Sequence, residues 1–362
     1  MPATPAPSLS PAPSPAPPHA AGGPPAVLVR SVGALPPDVV PRLAALEPVT
    51  AVVEVGAGAA LLRASRDAGG DPVGALDPGW GLPLDVIAVD PGPYAALLAE
   101  SDRAAFLGLG PGRALLGATS ARLRGLGTGT VLDVDGFSFV VTGVVDDRLV
   151  GAAELVVVTA DGARVGADSV RYAVVQTDGP LAVLTAAVEA VVDGRPGVLA
   201  TALGSAPWPV SWRDVLPQAL VKERFGEFAI RPGEGRALTQ QPGWTDAHLQ
   251  TARVPILGEV RCHRMMLPAL AAALAELEAA GLAALVDRGD YAGCHSPRLI
   301  AVGGPVSRHA WGLAVDLNAA SNPFGAPSAQ DPRLVEVMER HGFGFGGRWP
   351  VPDAMHFEYR GP

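Results

Sequence analysis

Cysteine, aromatic residues and long apolar runs are all scarce in this chain. Of 362 residues only two are cysteines, and aromatics make up 5%. No stretch reaches the ~18 consecutive apolar residues of a membrane-spanning helix; the segment from Val52 to Leu62 is broken by Glu54 and by glycines. Charged residues are 17% of the chain, the net charge is −9, and there is no Lys/Arg run, so the electrostatic footprint of a nucleic-acid binder is missing. The N-terminus also lacks a basic region followed by an apolar one, so it shows no secretory signal.

Hydrophobic residues (48%), glycine (44) and proline (37) are abundant, and the length exceeds what one core usually organises. Two domains are expected. Residues 1–25 are mostly Pro, Ala and Ser; a stretch such as Pro11 to Pro18 favours extended polyproline II and reads as a tether or disordered tail. Short apolar segments then alternate with helical ones: Ala26 to Val32, Ala51 to Val55 and Leu84 to Val89, with helices expected over Tyr94 to Ala105 and Ala114 to Leu126. Gly129 to Val134, Phe137 to Val145 and Glu154 to Thr159 read as β-runs, and Asp135-Gly136 between the first two signals a hairpin. Leu181 to Val192 reads as a helix.

These segments predict a separate mixed α/β domain over 26–195. Gly194, Pro196, Gly204, Pro207 and Pro209 punctuate a linker at 196–212. The domain expected at 213–362 is α+β with a small antiparallel sheet: helices over Pro268 to Leu285 and Pro332 to His341, strands over Gly312 to Leu317 and Met355 to Tyr359. Within the N-terminal part, Arg124 to Val158 resembles a piece of the extracytoplasmic domain of ABC-transporter permeases. That resemblance brings no catalytic residue, so a binding, spacer or assembly role is expected there.

Two segments concentrate the side chains that can do chemistry. In Ser307-Arg308-His309-Ala310-Trp311-Gly312-Leu313-Ala314-Val315-Asp316, a histidine and an aspartate flank a glycine. If Gly312 permits a tight turn into a strand, Ala314 and Asp316 share one face while Leu313, Val315 and Leu317 share the other. Asp316 then projects beside His309, and the small Ala314 leaves room for a cleft. In Pro352-Asp353-Ala354-Met355-His356-Phe357-Glu358-Tyr359, a carboxylate precedes a histidine at the mouth of a strand.

A histidine alone is most often an ordinary core or surface residue. Together, His309, Asp316 and His356 make a three-ligand set with one position open, the pattern of a catalytic rather than a structural zinc site. Asp353 stands where it can take a proton from water. Cys262 and Cys294 flank a helix-like segment; a loop-closing disulfide in an oxidising compartment and a pair of buried thiols are both compatible with the sequence.

Both segments resemble the signature of the D-alanyl-D-alanine carboxypeptidase and L-alanyl-D-glutamate peptidase family of zinc enzymes, with a VanY-like core. Lys222-Glu223-Arg224-Phe225-Gly226-Glu227-Phe228, Cys262-His263-Arg264 and Tyr291-Ala292-Gly293-Cys294 through Arg298 are similar to the same family, so the resemblance covers about residues 210–362. It implies a Hedgehog/DD-peptidase-like fold and one Zn2+ on His309, Asp316 and His356. It also implies Asp353 as general base and later proton donor, with Arg298 over the substrate to stabilise an oxyanion or clamp a carboxylate.

Ser307 is expected either to bind the substrate backbone or to fix His309 in a turn. Glu358 is a rival base, ranked below a role in ordering a ligand histidine. Tyr291, Trp311, Trp349 and Tyr359 can line the cleft, although aromatics beside strands are more often core. His263, His295 and His341 are read as structural. The implied substrate is the peptidoglycan stem peptide, with hydrolysis of its terminal D-Ala expected first. The alternatives are an endopeptidase cutting within the stem or cross-link, and a non-catalytic zinc-stabilised wall-binding module. A wall substrate implies an extracytoplasmic location, where Cys262 and Cys294 would be bonded; the absence of a visible signal stands against it.

Overall fold

The computed structural model describes residues 25–47, 49–74, 76–203, 208 and 215–361. The tail expected over 1–25 therefore lies almost wholly outside the described residues, as does much of the linker expected at 196–212. Among the described residues, nine strands form one sheet: β1 (Ala26–Ser31), β2 (Ala51–Arg66), β3 (Leu82–Val89), β4 (Arg113–Gly117), β5 (Val131–Val134), β6 (Phe137–Val145), β7 (Leu155–Val158), β8 (Val170–Gln176) and β9 (Val198–Leu203). Their order is β3-β7-β4-β6-β5-β2-β8-β1-β9, and β2 pairs with β3 as well, so β2, β3, β7, β4, β6 and β5 close a ring.

Period-2 alternation explains the ring. Leu84, Val86 and Ala88 of β3 and Leu155 and Val157 of β7 join Leu62, Leu116, Leu132, Phe139 and Val141 in one cluster to which all six strands contribute. The intervening Ile87, Val89, Val156 and Val158 join a second cluster with Tyr94 and Phe106 from the helices Pro91–Ala96 and Glu100–Leu107. Outward and inward residues are thus both buried, which is why these strands read as continuous apolar runs. Beyond the ring, β1 and β8 pack against the helices Val39–Ala44 and Leu181–Val192.

Several expectations need correction. β2 runs for 16 residues, well past Val55, because it meets β8, β3 and β5 in succession. The helix expected over Ala114 to Leu126 is a strand, β4, followed by a helix only over Ala118–Arg124. The helix expected over Tyr94 to Ala105 is two helices. Residues 198–203, inside the expected linker, are β9, paired with β1 along its full length. The Asp135-Gly136 hairpin is present: Val134 faces Phe137, and the two turn residues have φ of 46° and 88°.

The C-terminal part begins with the helix Gln218–Phe225 and two hairpins, β10 (Ile230–Pro232) with β11 (Leu238–Gln240) and β12 (Leu249–Val254) with β13 (Gly258–His263). The helix Leu267–Ala279 follows; it stops short of Leu285 at the turn through Gly281, whose φ is 71°. Strands β14 (Tyr291–Gly293), β15 (Ala314–Leu317), β16 (Phe343–Phe345) and β17 (His356–Tyr359) form an antiparallel sheet in the order β14-β15-β17-β16. The helix Pro332–Arg340 packs on it and on Leu267–Ala279, within one apolar cluster.

The nine-stranded sheet meets the helix Gln218–Phe225 through a buried ionic group. Lys222, the only lysine of the chain, is 1% exposed and donates to Glu154 Oε1 at 2.8 Å and Oε2 at 3.0 Å, and to the Pro83 carbonyl. Arg124 donates to Glu154 at 2.6 Å and also pairs with Glu227, while Gln218 donates to Glu154 at 3.0 Å. Two cations and two carboxylates thus balance inside the protein, the condition under which buried charges are tolerated. Burial opposes the ionisation of Glu154, but Lys222 and Arg124 hold its carboxyl at about 2. Next to it, burial and the Glu154 charge push Asp85 up to about 6.

Two outcomes are expected. Lys222→Met strands a buried carboxylate and should cost about 3 kcal/mol in urea unfolding, the lower end for a broken buried pair because Arg124 remains. For Asp85 the folded-state pKa is raised, so its ionisation opposes folding as pH climbs from 3.8 to about 6 and beyond. Asp85→Asn should therefore raise the urea midpoint at about pH 7.5 and lose that advantage below about pH 4. An unchanged midpoint at the higher pH would show that Asp85 ionises there without cost.

Candidate metal centre

His309 lies on a one-turn helix, Arg308–Trp311, and Ser307 starts it: the Ser307 hydroxyl accepts from the His309 N–H at 3.4 Å. Gly312 ends it with φ 66°. A Cβ there would meet the His263 nitrogen at 2.8 Å and Leu249 at 2.9 Å, so glycine is needed both for conformation and for space. The chain then enters β15, whose register with β17 sets Asp316 opposite His356 and Ala314 opposite Glu358. These four side chains share the face described by strand alternation.

Three ligand atoms converge here. His309 Nε2 lies 3.1 Å from Asp316 Oδ1 and 3.2 Å from His356 Nδ1, and the latter two are 3.2 Å apart. The Cys294 carbonyl, which can only accept, lies 2.9 Å from His309 Nδ1. The ring hydrogen of a neutral His309 is therefore on Nδ1, and Nε2 presents a lone pair to the cluster. Such a triangle of donor atoms matches the roughly 3.3 Å ligand spacing of a tetrahedral ion with metal–ligand distances near 2.0–2.1 Å. Burial works against charge on His356, yet Asp316 and Glu358 raise it to about 9, so the surroundings favour positive charge at this point. The buried group His309, Asp316 and His356 could hold a metal ion.

The other expected residues gather nearby to different degrees. Arg298 Nη2 is 3.9 Å from Asp316 Oδ2 with its side chain 32% exposed. Asp353 begins the turn into β17, its carbonyl accepting from the His356 N–H at 3.0 Å. Its Oδ1 is buried without a hydrogen-bond partner among the described residues, and burial raises its pKa. The Trp349 ring sits 5.1 Å from that of His356. Tyr291 is half-buried on β14, pushed up to about 12 by burial and by Asp316.

Glu358 is buried and pairs with Arg308 at 3.3 Å. Trp311 is wholly buried and Tyr359 nearly so, both in the core cluster. His263 bonds the Phe225 carbonyl, His341 bonds Glu276, and His295 bonds Gln240. Sequence reasoning assigned no role to Arg308, although it sits inside the first motif; its one available signal was a cation placed directly between Ser307 and His309.

Cys262 and Cys294 are bonded, with Cα atoms 5.5 Å apart. The bridge ties β13 to the residue whose carbonyl orients His309, and Ser296 N–H donates to the His309 carbonyl at 3.0 Å.

With this geometry established, similarity to known proteins can be placed. Residues 301–359 match the family model described as D-alanyl-D-alanine carboxypeptidase. The match contains all three candidate ligands and Asp353, begins after Arg298, and supports a peptidase. No curated protein matches the chain. Among solved structures, the extracellular domain of the noncanonic ABC-type transporter YknZ from Gram-positive bacteria is similar at 12% identity and TM-score 0.32, over 49% of this chain and 100% of that one. The periplasmic region of MacB from Actinobacillus actinomycetemcomitans is similar at 11% identity and TM-score 0.32, over 49% and 88%. Likeness of that size carries no statement about activity. No helix among the described residues is long and apolar enough to cross a membrane.

The bridge closes a loop across a sequence separation of 32 residues. The double variant Cys262→Ser/Cys294→Ser should lose about 3–4 kcal/mol of stability by the chain-entropy relation. Denaturant titration with and without reductant would measure it, and equal midpoints would show that the bridge contributes nothing.

Proposed function

We propose that the C-terminal part is a zinc-dependent peptidase acting on the D-amino-acid-containing stem peptides of bacterial cell wall, with removal of a terminal D-Ala as its principal reaction. The observation that carries the proposal is the convergence of two imidazole nitrogens and one carboxylate oxygen at 3.1–3.2 Å, inside the segment that matches the carboxypeptidase family model. His309, Asp316 and His356 would hold the zinc. When bound, that ion would supply Lewis-acid polarisation and make a hydroxide nucleophile accessible at neutral pH.

The chain's own residues do the rest. Asp353, whose buried Oδ1 has no hydrogen-bond partner among the described residues, takes the proton of the attacking water and returns it to the departing amine as the C–N bond breaks. Burial favours its protonated form, which suits a group that must both accept and give up a proton. Arg298, partly exposed beside Asp316, faces the negative oxygen that develops on the carbonyl, or the terminal carboxylate of the substrate. Ser307 fixes His309 through its N–H and keeps its own hydroxyl hydrogen for a substrate carbonyl. Glu358 is occupied by Arg308 and serves the ligand set rather than the proton transfer. An extracytoplasmic location goes with this substrate and with the Cys262–Cys294 bridge.

The test is mass spectrometry of pentapeptide muropeptides incubated with zinc-loaded protein, beside His309→Ala and Asp353→Asn. Loss of one terminal Ala is expected, lowered by about 10²–10⁴-fold in Asp353→Asn and absent in His309→Ala. Cleavage inside the stem would make the enzyme an endopeptidase. Intact substrate, with zinc bound at one equivalent, would leave a wall-binding module.

A further inference from the structure

We infer that Arg308 is a positioning residue of the metal centre: acting through Glu358, it fixes the ring of His356 so that Nδ1, not Nε2, faces the other ligands. The inference rests on the metal-centre reading above and extends it to residues outside the ligand set. Arg308 is only 9% exposed although it follows the helix cap directly. A guanidinium stays charged at any accessible pH, so a buried one requires an ionised partner and acceptors for its remaining N–H groups. Both are present. Its Nε donates to Glu358 Oε1 at 3.3 Å, its Nη2 donates to the Leu216 carbonyl, and the Trp311 ring lies 5.7 Å beneath it.

Glu358 is 2% exposed and is thereby held ionised and in one orientation. With Oε1 taken by Arg308, Oε2 lies 3.6 Å from His356 Nε2. That nitrogen is buried and has no hydrogen-bond partner among the described residues, so the carboxylate is the group placed to receive a proton from it. A carboxylate behind a ligand histidine selects the tautomer and holds the ring. The other nitrogen, Nδ1, is then the lone pair 3.2 Å from both Asp316 Oδ1 and His309 Nε2. Opposite Glu358 in the register stands Ala314, whose methyl group leaves the carboxylate room to lie along the sheet face.

Arg308 thus serves both histidines, His309 by adjacency in the one-turn helix and His356 by way of Glu358. Its third contact reaches further. Leu216 lies two positions before the helix Gln218–Phe225, next to its cap Pro217, and Lys222 and Gln218 fasten that helix to the strand ring. One guanidinium therefore ties the strand that carries His356 to the segment that leads into the helix held against the strand ring.

The experiment measures zinc affinity of the metal-free protein by chelator competition for wild type, Arg308→Met, Arg308→Lys and Glu358→Gln. Histidine-ring ¹⁵N spectra of the same metal-free samples, recorded above about pH 9 where the His356 ring is neutral, report the tautomers. Zinc should bind roughly 10- to 100-fold more weakly in Arg308→Met and Glu358→Gln, with far-UV circular dichroism unchanged. Arg308→Lys should recover part of the loss, since an ammonium can pair with Glu358 without also reaching Leu216. His356 should carry its hydrogen on Nε2 in wild type and become a mixture in Arg308→Met. Folded variants that bind zinc within about twofold of wild type would overturn the inference, as would a wild-type His356 with its hydrogen on Nδ1. Should Arg308→Met fail to fold, Glu358→Gln decides alone. A wild type that binds no zinc would instead overturn the metal reading on which the inference stands.

Discussion

The antiparallel pairing of β15 with β17 is the constraint on which the site depends. It sets Asp316 across from His356 and Ala314 across from Glu358. Because strand side chains alternate, a slip of one residue would carry the two members of each pair to opposite faces and separate the three converging donor atoms. His309 reaches the same face from a different kind of element, a single helical turn ended by Gly312 in the left-handed region. Two rigid strands and one capped turn therefore meet without any of the three side chains resting on a long loop, which is how a site keeps its geometry before anything binds.

Around that pairing, each imidazole is aimed by a group of different origin. A backbone carbonyl fixes His309, and that carbonyl belongs to one half of the disulfide. Side-chain charge stands behind His356, where Glu358 is flanked by Arg308. The first arrangement depends on covalent structure and is indifferent to charge; the second depends on a buried ion pair and is indifferent to redox state. Losses at the two histidines should therefore respond to different perturbations.

How much of this was legible in the sequence depended on range. Short-range signals were read well: the Asp135-Gly136 turn, the helix Leu181–Val192 and the strand alternation that puts Ala314 with Asp316 are each decided within a few residues. The convergence of His309 and Asp316 was legible for a related reason, since the two are linked by one turn and one strand. Long-range facts were not. The length of β2 follows from its pairing with β3 and β5 of the ring and with the distant β8, where Ala51 meets Gln176, and β9 was hidden among Gly and Pro because its partner, β1, lies at the far end of the unit. Ala114 to Leu126 is apolar enough for either element; only β6 and β7 decide that its first part is a strand. The ionic group at the junction was invisible for the same reason: Lys222 and Glu154 each look like ordinary solvated charges until the fold buries them together.

That junction has one more consequence, which follows from amino-acid usage. Arginine carries nearly all the positive charge of this chain, and its single lysine is spent in the interior. A protease that cuts only after lysine thus finds one peptide bond in the whole protein, between Lys222 and Glu223, in the middle of a helix laid against the strand ring. The chain can be cut there only after that helix has lifted away. The rate of one cleavage then reads the opening of this junction separately from unfolding elsewhere, a window on local stability built into the composition itself.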